Sequence, residues 1–166
     1  MRIVDQNLLN EVTGLAIAAE RRRKNRNFHI SDESGCHRLL NAIEPESYIA
    51  PHRHLDPGKE ESIVVVRGRL KCIRFDENGN PLEVLEMQPG GAVVAVDLAV
   101  GEFHSLVSLA SGTIFFEAKA GPYRPLQPGE RASWAPPEGS PEAAGYLAWM
   151  DRLPLTVMTA VSGGGS

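Results

Sequence analysis

Hydrophobic positions recur along this chain with two different periods. In the first segment Leu8, Val12, Leu15 and Ala19 fall at i, i+4, i+7 and i+11, one face of a helix. Asp5 or Asn7 is placed to cap its start, and Arg21, Arg22, Arg23 and Lys24 follow where cations suit the negative end of a helix dipole. From about residue 28 to 120 the period becomes two. Short runs rich in Val, Ile and Phe predict strands at 47–50, 62–66, 70–75, 82–87, 92–96, 103–109 and 113–119. Asn78-Gly79, Pro89-Gly90-Gly91 and Ser111-Gly112 are turn signals between them. Short strands at this spacing predict an all-β sandwich or barrel. Beyond Gly121 prolines crowd the sequence, so 121–141 reads as an extended arm crossing the surface. Residues 141–153 read as a short helix with Ala144, Leu147 and Trp149 or Met150 packing down, and the closing SGGGS as a flexible tail.

Length and charge narrow the class. A chain of 166 residues is expected to form one domain. Its parts are an N-terminal helix and arm (1–27), a barrel (28–126) and a C-terminal extension (127–166). A net charge of -4 gives no reason to expect nucleic acid as a partner. No apolar run approaches the roughly 20 residues of a membrane helix, and the opening MRIVDQNLLNEV lacks the apolar core of a signal peptide. A cytoplasmic location is the expectation. Two distant cysteines, Cys36 and Cys72, exclude a disulfide framework and read as buried thiols in a reducing compartment.

The histidines carry the chemistry. Pro51-His52-Arg53-His54 ends a predicted strand, and positions i and i+2 of a strand share a face. Two imidazoles can therefore meet one metal ion while Arg53 points away. A carboxylate opening the partner strand would lie across from them. Glu60 and Glu61 face opposite sides, and Glu61 shares its face with Ile63 and Val65. Gly101-Glu102-Phe103-His104 opens another strand and offers a third imidazole. Three His and one carboxylate suit a divalent transition metal (Fe, Mn, Ni, Co or Zn) and leave two octahedral positions open.

PHRH, then E-x6-G from Glu61 to Gly68, then G-x-x-H from Gly101 to His104 resemble the two metal-binding motifs of the cupin superfamily. The loop between His54 and Glu61 is longer than the usual cupin spacing. Ala99, Ser108 and Glu46 replace the Pro, Asn and Gly often found near these motifs. A closer resemblance is to the WbuC family of cupin-fold metalloproteins. It is carried by Arg23-x-Asn25-x-Asn27-Phe28-His29, by Arg38-Leu39-Leu40-Asn41-Ala42 with Tyr48-x-x-Pro51-His52-Arg53-His54, by the Gly68 to Gly79 hairpin, and by Phe116-Glu117-Ala118-Lys119-x-Gly121-Pro122-Tyr123-x-Pro125. It covers residues 5–126. The resemblance implies a double-stranded β-helix (cupin jelly-roll barrel) with a metal, and a link to O-antigen and other surface polysaccharides.

The remaining polar residues suggest what the metal faces. Tyr48 shares a face with His52, and Glu117 shares one with Lys119, so these three are the candidate catalytic groups. Arg23, His29 and Arg38 are the candidate substrate-binding groups, and the basic run at 21–24 reads as either a solvated helix end or an anion-binding rim. Cations at 23, 38 and 119 favour a small anionic or sugar-like ligand. The leading expectation is a metal-dependent isomerase or epimerase with Tyr48, Glu117 or Lys119 moving a proton. The alternatives are a non-heme iron dioxygenase and a non-catalytic sugar-binding or sensor module with a structural metal. A homodimer is expected, because a short barrel leaves strand edges to cover.

Overall fold

A computed structural model describes residues 1–157; the SGGGS tail lies outside the described residues. The elements in chain order are α1 (Gln6–Ala18), β1 (Arg23–Asn27), β2 (Cys36–Ile43), β3 (Glu61–Arg67), β4 (Leu70–Phe75), β5 (Pro81–Met87), β6 (Ala95–Leu98), β7 (Phe103–Ser108), β8 (Thr113–Ala120), a 3-10 turn (Pro128–Glu130) and α2 (Ala143–Arg152). Five strands form one sheet in the order β1-β2-β8-β3-β6, and three form the other in the order β5-β4-β7. All pairings are antiparallel. This is an all-β jelly roll.

Side-chain alternation builds three apolar layers. Ile43, Ile63, Val65, Leu70, Cys72, Met87, Leu98, Leu106 and Phe115 meet between the sheets. Leu40, Ala42 and Ile114 face outward from the larger sheet and are covered by Leu9, Val12 and Ala16 of α1. Ile73, Phe75, Val84, Phe103 and Val107 face outward from the smaller sheet and are covered by Ala132, Ala143 and Met150 of the arm and α2. The arm is therefore the lid of a core layer, not a surface strap. Lys71 fixes it there, donating from a buried ammonium to the carbonyls of Met150, Asp151 and Leu153 at the end of α2.

Several expectations change. Asp5 caps α1 by accepting from the Leu8 N–H at 2.9 Å, but the buried face is Leu9, Val12 and Ala16, and Leu15 is exposed. The helix stops at Ala18, so Arg21 to Lys24 lie beyond its last turn, and Arg23 and Lys24 open β1. Residues 23–27 and 36–43 are strands that the pattern did not suggest. The first is wholly polar because only its backbone pairs, and the second alternates between α1 and the interior. Residues 47–50 form no strand. Pro51 has no N–H to give a ladder, and the Ile49 carbonyl accepts from Ser105 Oγ at 2.6 Å instead. On α2 the inward residues are Ala143 and Met150, whereas Ala144 is exposed. Cys36 is exposed; Cys72 is buried, and that burial pushes its thiol up to about 12.

Candidate metal centre

Glu61 is the first residue of β3 and His104 the second of β7, so both stand where their strands begin. His52 is brought to them by an isolated bridge. Its N–H donates to the His104 carbonyl at 3.0 Å, and the His104 N–H returns the bond at 2.9 Å. On the other side the Arg53 N–H donates to Glu130 O at 2.9 Å and the Ala132 N–H to Pro51 O at 3.2 Å. The His52 segment is thus held between β7 and the arm, extended enough for His52 and His54 to turn the same way.

Hydrogen bonds set the imidazole tautomers. His52 Nδ1 lies 3.1 Å from Ala50 O and His104 Nδ1 lies 3.0 Å from Glu102 O. A carbonyl only accepts, so each Nδ1 carries a proton and Nε2 is the ring atom left to face the centre. Burial, with the neighbouring His104 adding to it, pulls His52 down to about 3, so its ring is neutral at pH 7. His54 Nε2 and His104 Nε2 lie 3.1 and 3.5 Å from Glu61 Oε2. Burial opposes ionisation of Glu61, but hydrogen bonds from His104 and His54 and the charge of Lys119 outweigh it and hold the carboxyl well below the usual range. Glu60 is exposed. One ligand atom each from His52, His54 and Glu61 lie within 4.8 Å of one another, and His104 stands beside them with its ring 4.6 Å from that of His52. Imidazoles around a carboxylate are a donor set for first-row divalent ions. The residues present fit a metal.

Behind the ligands stand Glu117 and Lys119 of β8. Cross-strand register sets Lys119 opposite Glu61 and Glu117 opposite Ile63. Lys119 Nζ lies 2.6 Å from Glu117 Oε1 and 3.5 Å from Glu61 Oε1, and Asn41 Nδ2 donates to Glu117 Oε2 at 2.8 Å. Burial and the Glu61 charge push Glu117 up to about 7. Burial lowers Lys119, but the two carboxylates outweigh it and raise it overall. These groups border a cavity of about 230 Å³ together with His52, Glu61, His104, Asn41, Arg21 and Arg23.

The raised Glu117 predicts a pH dependence. In the unfolded chain a Glu titrates near 4.3, so between there and about 7 the folded, metal-free protein binds the extra proton. Stability from this group is fully present at low pH and declines as pH rises through about 7. Glu61 acts with the opposite sign at lower pH. Glu117→Gln is expected to flatten the slope of the urea midpoint between pH 5 and 8 in metal-free protein; an unchanged slope would mean that Glu117 is not the group titrating.

Three candidate residues lie elsewhere. Tyr48 is buried, but its hydroxyl donates to Pro136 O at 2.8 Å and its ring meets Tyr146 edge-on at 6.1 Å. It belongs to the arm-side core because residues 47–50 are not a strand and the period-two rule does not apply there. Arg38 is exposed: it shares the outer face of β2 with Leu40 and Ala42, not the cavity face of Asn41. His29 is buried and accepts from the Arg38 N–H at 3.2 Å while stacking on His37 at 4.0 Å, away from the cavity. Arg23 does border the cavity. Asn41 is the cavity residue that the pattern missed; a lone amide within Leu39-Leu40-Asn41-Ala42 was its only signal.

Residues 4–87, half of the chain, match a family model described as a domain of unknown function, DUF6016. The chain belongs to that family. The matched span holds His52, His54 and Glu61, while His104 and the arm of this DUF6016 protein fall outside it. No curated protein matches it. Among solved structures, the conserved SPY1581 protein of unknown function from Streptococcus pyogenes superposes with a TM-score of 0.51 at 9% identity, covering 74% of this chain and 90% of that one. KdgF from Halomonas sp. gives 0.48 at 15% identity, covering 61% and 82%. The cupin domain of Cnp3 from Schizosaccharomyces pombe gives 0.46 at 10% identity, covering 60% and 65%. The likeness to the SPY1581 protein is one of fold alone. Among the described residues no helix is long and apolar enough to cross a membrane.

Proposed function

We propose that this DUF6016 protein is a metal-dependent enzyme that holds one divalent transition metal on His52, His54, Glu61 and His104 and acts on a small anionic or carbohydrate-derived substrate. The observation that carries the reading is the convergence of His52, His54 and Glu61 next to a buried carboxyl–ammonium pair. The metal, when bound, supplies Lewis-acid polarisation of a carbonyl or hydroxyl. Glu117, pushed up to about 7, is suited to give and take a proton near neutral pH. Lys119 favours the ionised form of Glu117, and Asn41 fixes the orientation of its carboxyl. Proton transfer next to a polarised oxygen is isomerase or epimerase chemistry. The WbuC resemblance supports a carbohydrate-derived substrate and a place in surface-polysaccharide biosynthesis.

Metal analysis of freshly purified protein, followed by a screen of nucleotide sugars and keto acids with and without oxygen, tests this. The expected result is a stoichiometric first-row metal and oxygen-independent turnover that Glu117→Gln abolishes. Protein that takes up no metal when first-row ions are supplied overturns the metal assignment. Turnover that strictly requires oxygen replaces the isomerase reading with the dioxygenase one.

A further inference from the structure

We infer that Arg21 and Arg23 form a carboxylate-binding subsite of the metal cavity, filled by the side chain of Glu138, and that a carboxylate-bearing ligand binds by taking that side chain's place. Glu138 reaches back from the arm, more than a hundred residues along the chain, to lie between the two guanidinium groups. Arg21 grips it with two nitrogens, Nε to Oε1 at 3.1 Å and a terminal nitrogen to Oε2 at 2.6 Å, and Arg23 donates to Oε1 as well. This is the fork by which guanidinium recognises a planar carboxylate.

Arg23 is fixed independently of Glu138. Its other terminal nitrogen donates to Tyr48 O at 2.8 Å and to Ser47 Oγ at 3.2 Å. Its side chain is 20% exposed, against 36% for Glu138 and 63% for Arg21, so the carboxylate is more accessible than the Arg23 guanidinium that holds it from within. The two arginines border the cavity of about 230 Å³ that contains His52 and Glu61. They also border a second cavity, of about 440 Å³, in which His52 and Glu138 both form the wall. A carboxylate seated on the pair therefore shares a cavity with the metal ligands. With Glu138 displaced, two cations line the entrance, and the natural occupant is a small acid with a second oxygen donor directed at the metal. That last feature rests on the proposed metal site; the subsite itself does not.

Calorimetric titration of succinate into wild type, Glu138→Gln and Glu138→Gln/Arg23→Gln tests the inference, with and without metal loading. Glu138→Gln is expected to bind succinate at least tenfold more tightly than wild type, and the added Arg23→Gln to lose at least that factor. Glu138→Ala provides the same comparison with no side-chain amide left to hold the arginines. Equal affinity in wild type and both Glu138 variants overturns the subsite, as does binding that survives Arg23→Gln. Inorganic phosphate is the control anion, and tighter binding of phosphate than succinate by Glu138→Gln overturns the carboxylate assignment. Failure of every form to take up metal would sink the proposed function, while the metal-free titrations still decide the subsite.

Discussion

Glu61→Gln is expected to lower metal affinity by about 100-fold or more. Groups that merely orient metal ligands are worth roughly 10–100-fold, and Glu61 is placed to be a ligand and an orienting group at once. Its Oε2 faces His54 and His104, and its Oε1 faces Lys119. The amide is nearly isosteric, so packing against β6 and β8 survives while the charge is lost. A second effect follows from the same charge. Glu61 helps to push Glu117 up, so Glu117 should titrate at lower pH in the variant. Competition with a chromogenic chelator measures the first effect and the pH dependence of the urea midpoint the second. Glu60→Gln, one residue away and exposed, should change neither. Wild-type metal affinity in Glu61→Gln would remove Glu61 from the ligand set.

Gly68→Ala is expected to destabilise the protein by about 2–5 kcal/mol, through left-handed strain added to overpacking. Gly68 turns the chain from β3 into β4, and so from one sheet to the other, with φ at +79°. A Cβ there would stand 2.5 Å from Thr113 Oγ1 and 2.7 Å from Thr113 Cα. Thr113 cannot move aside. It is fully buried, and its hydroxyl donates to Ala110 O at 2.6 Å and accepts from the Arg69 N–H at 3.2 Å. For a chain of this length the loss corresponds to a melting temperature lower by roughly 10 °C. Gly90→Ala is the companion control: φ there is +70°, but nothing lies within 4 Å of its added Cβ. A Gly68 variant that melts no lower than the Gly90 variant would show that the close approach to Thr113 is easily relieved.

The strands β3, β4, β5, β7 and β8 are legible as short runs rich in Val, Ile and Phe between turn signals; β3 alternates buried and exposed positions, whereas β4 and β7 are buried on both faces. β1 is not, because Arg23, Lys24, Asn25, Arg26 and Asn27 pair at a sheet edge through their backbone and bury no apolar side chain. The helix phase differs by one residue: the pattern points to Leu8 and Leu15, whereas the buried stripe is Leu9, Val12 and Ala16, since apolar residues sit on both sides of Val12. The grouping of His52, His54 and Glu61 came through although residues 47–50 are not a strand. A single bridged residue, His52, is enough to keep the backbone extended across the pair. Tyr48 stands four residues before it, outside that extended stretch, and its side chain went to the arm instead. Glu117 and Lys119 do share a face, inside a regular strand. Arg38 was missed as a surface residue because β2 was not recognised, so nothing in the pattern said which of its faces meets water. The role of Glu138 was invisible: its partners Arg21 and Arg23 are joined to it only by the folded arm.

The bridging of the His52 segment from two sides also orders events in time. Glu130 and Ala132, which hold that segment against β7, are made about 80 residues after His52, a delay of several seconds at ordinary ribosomal rates. Through that interval the nascent chain can pair β4 with β5, but the histidine pair has no tether until His104 is made, and after that it is held on one side only until the arm follows. A nascent chain stalled before residue 128 would therefore present a formed hairpin and an open ligand pair. The centre would gain its second wall only once the arm had been synthesised and docked.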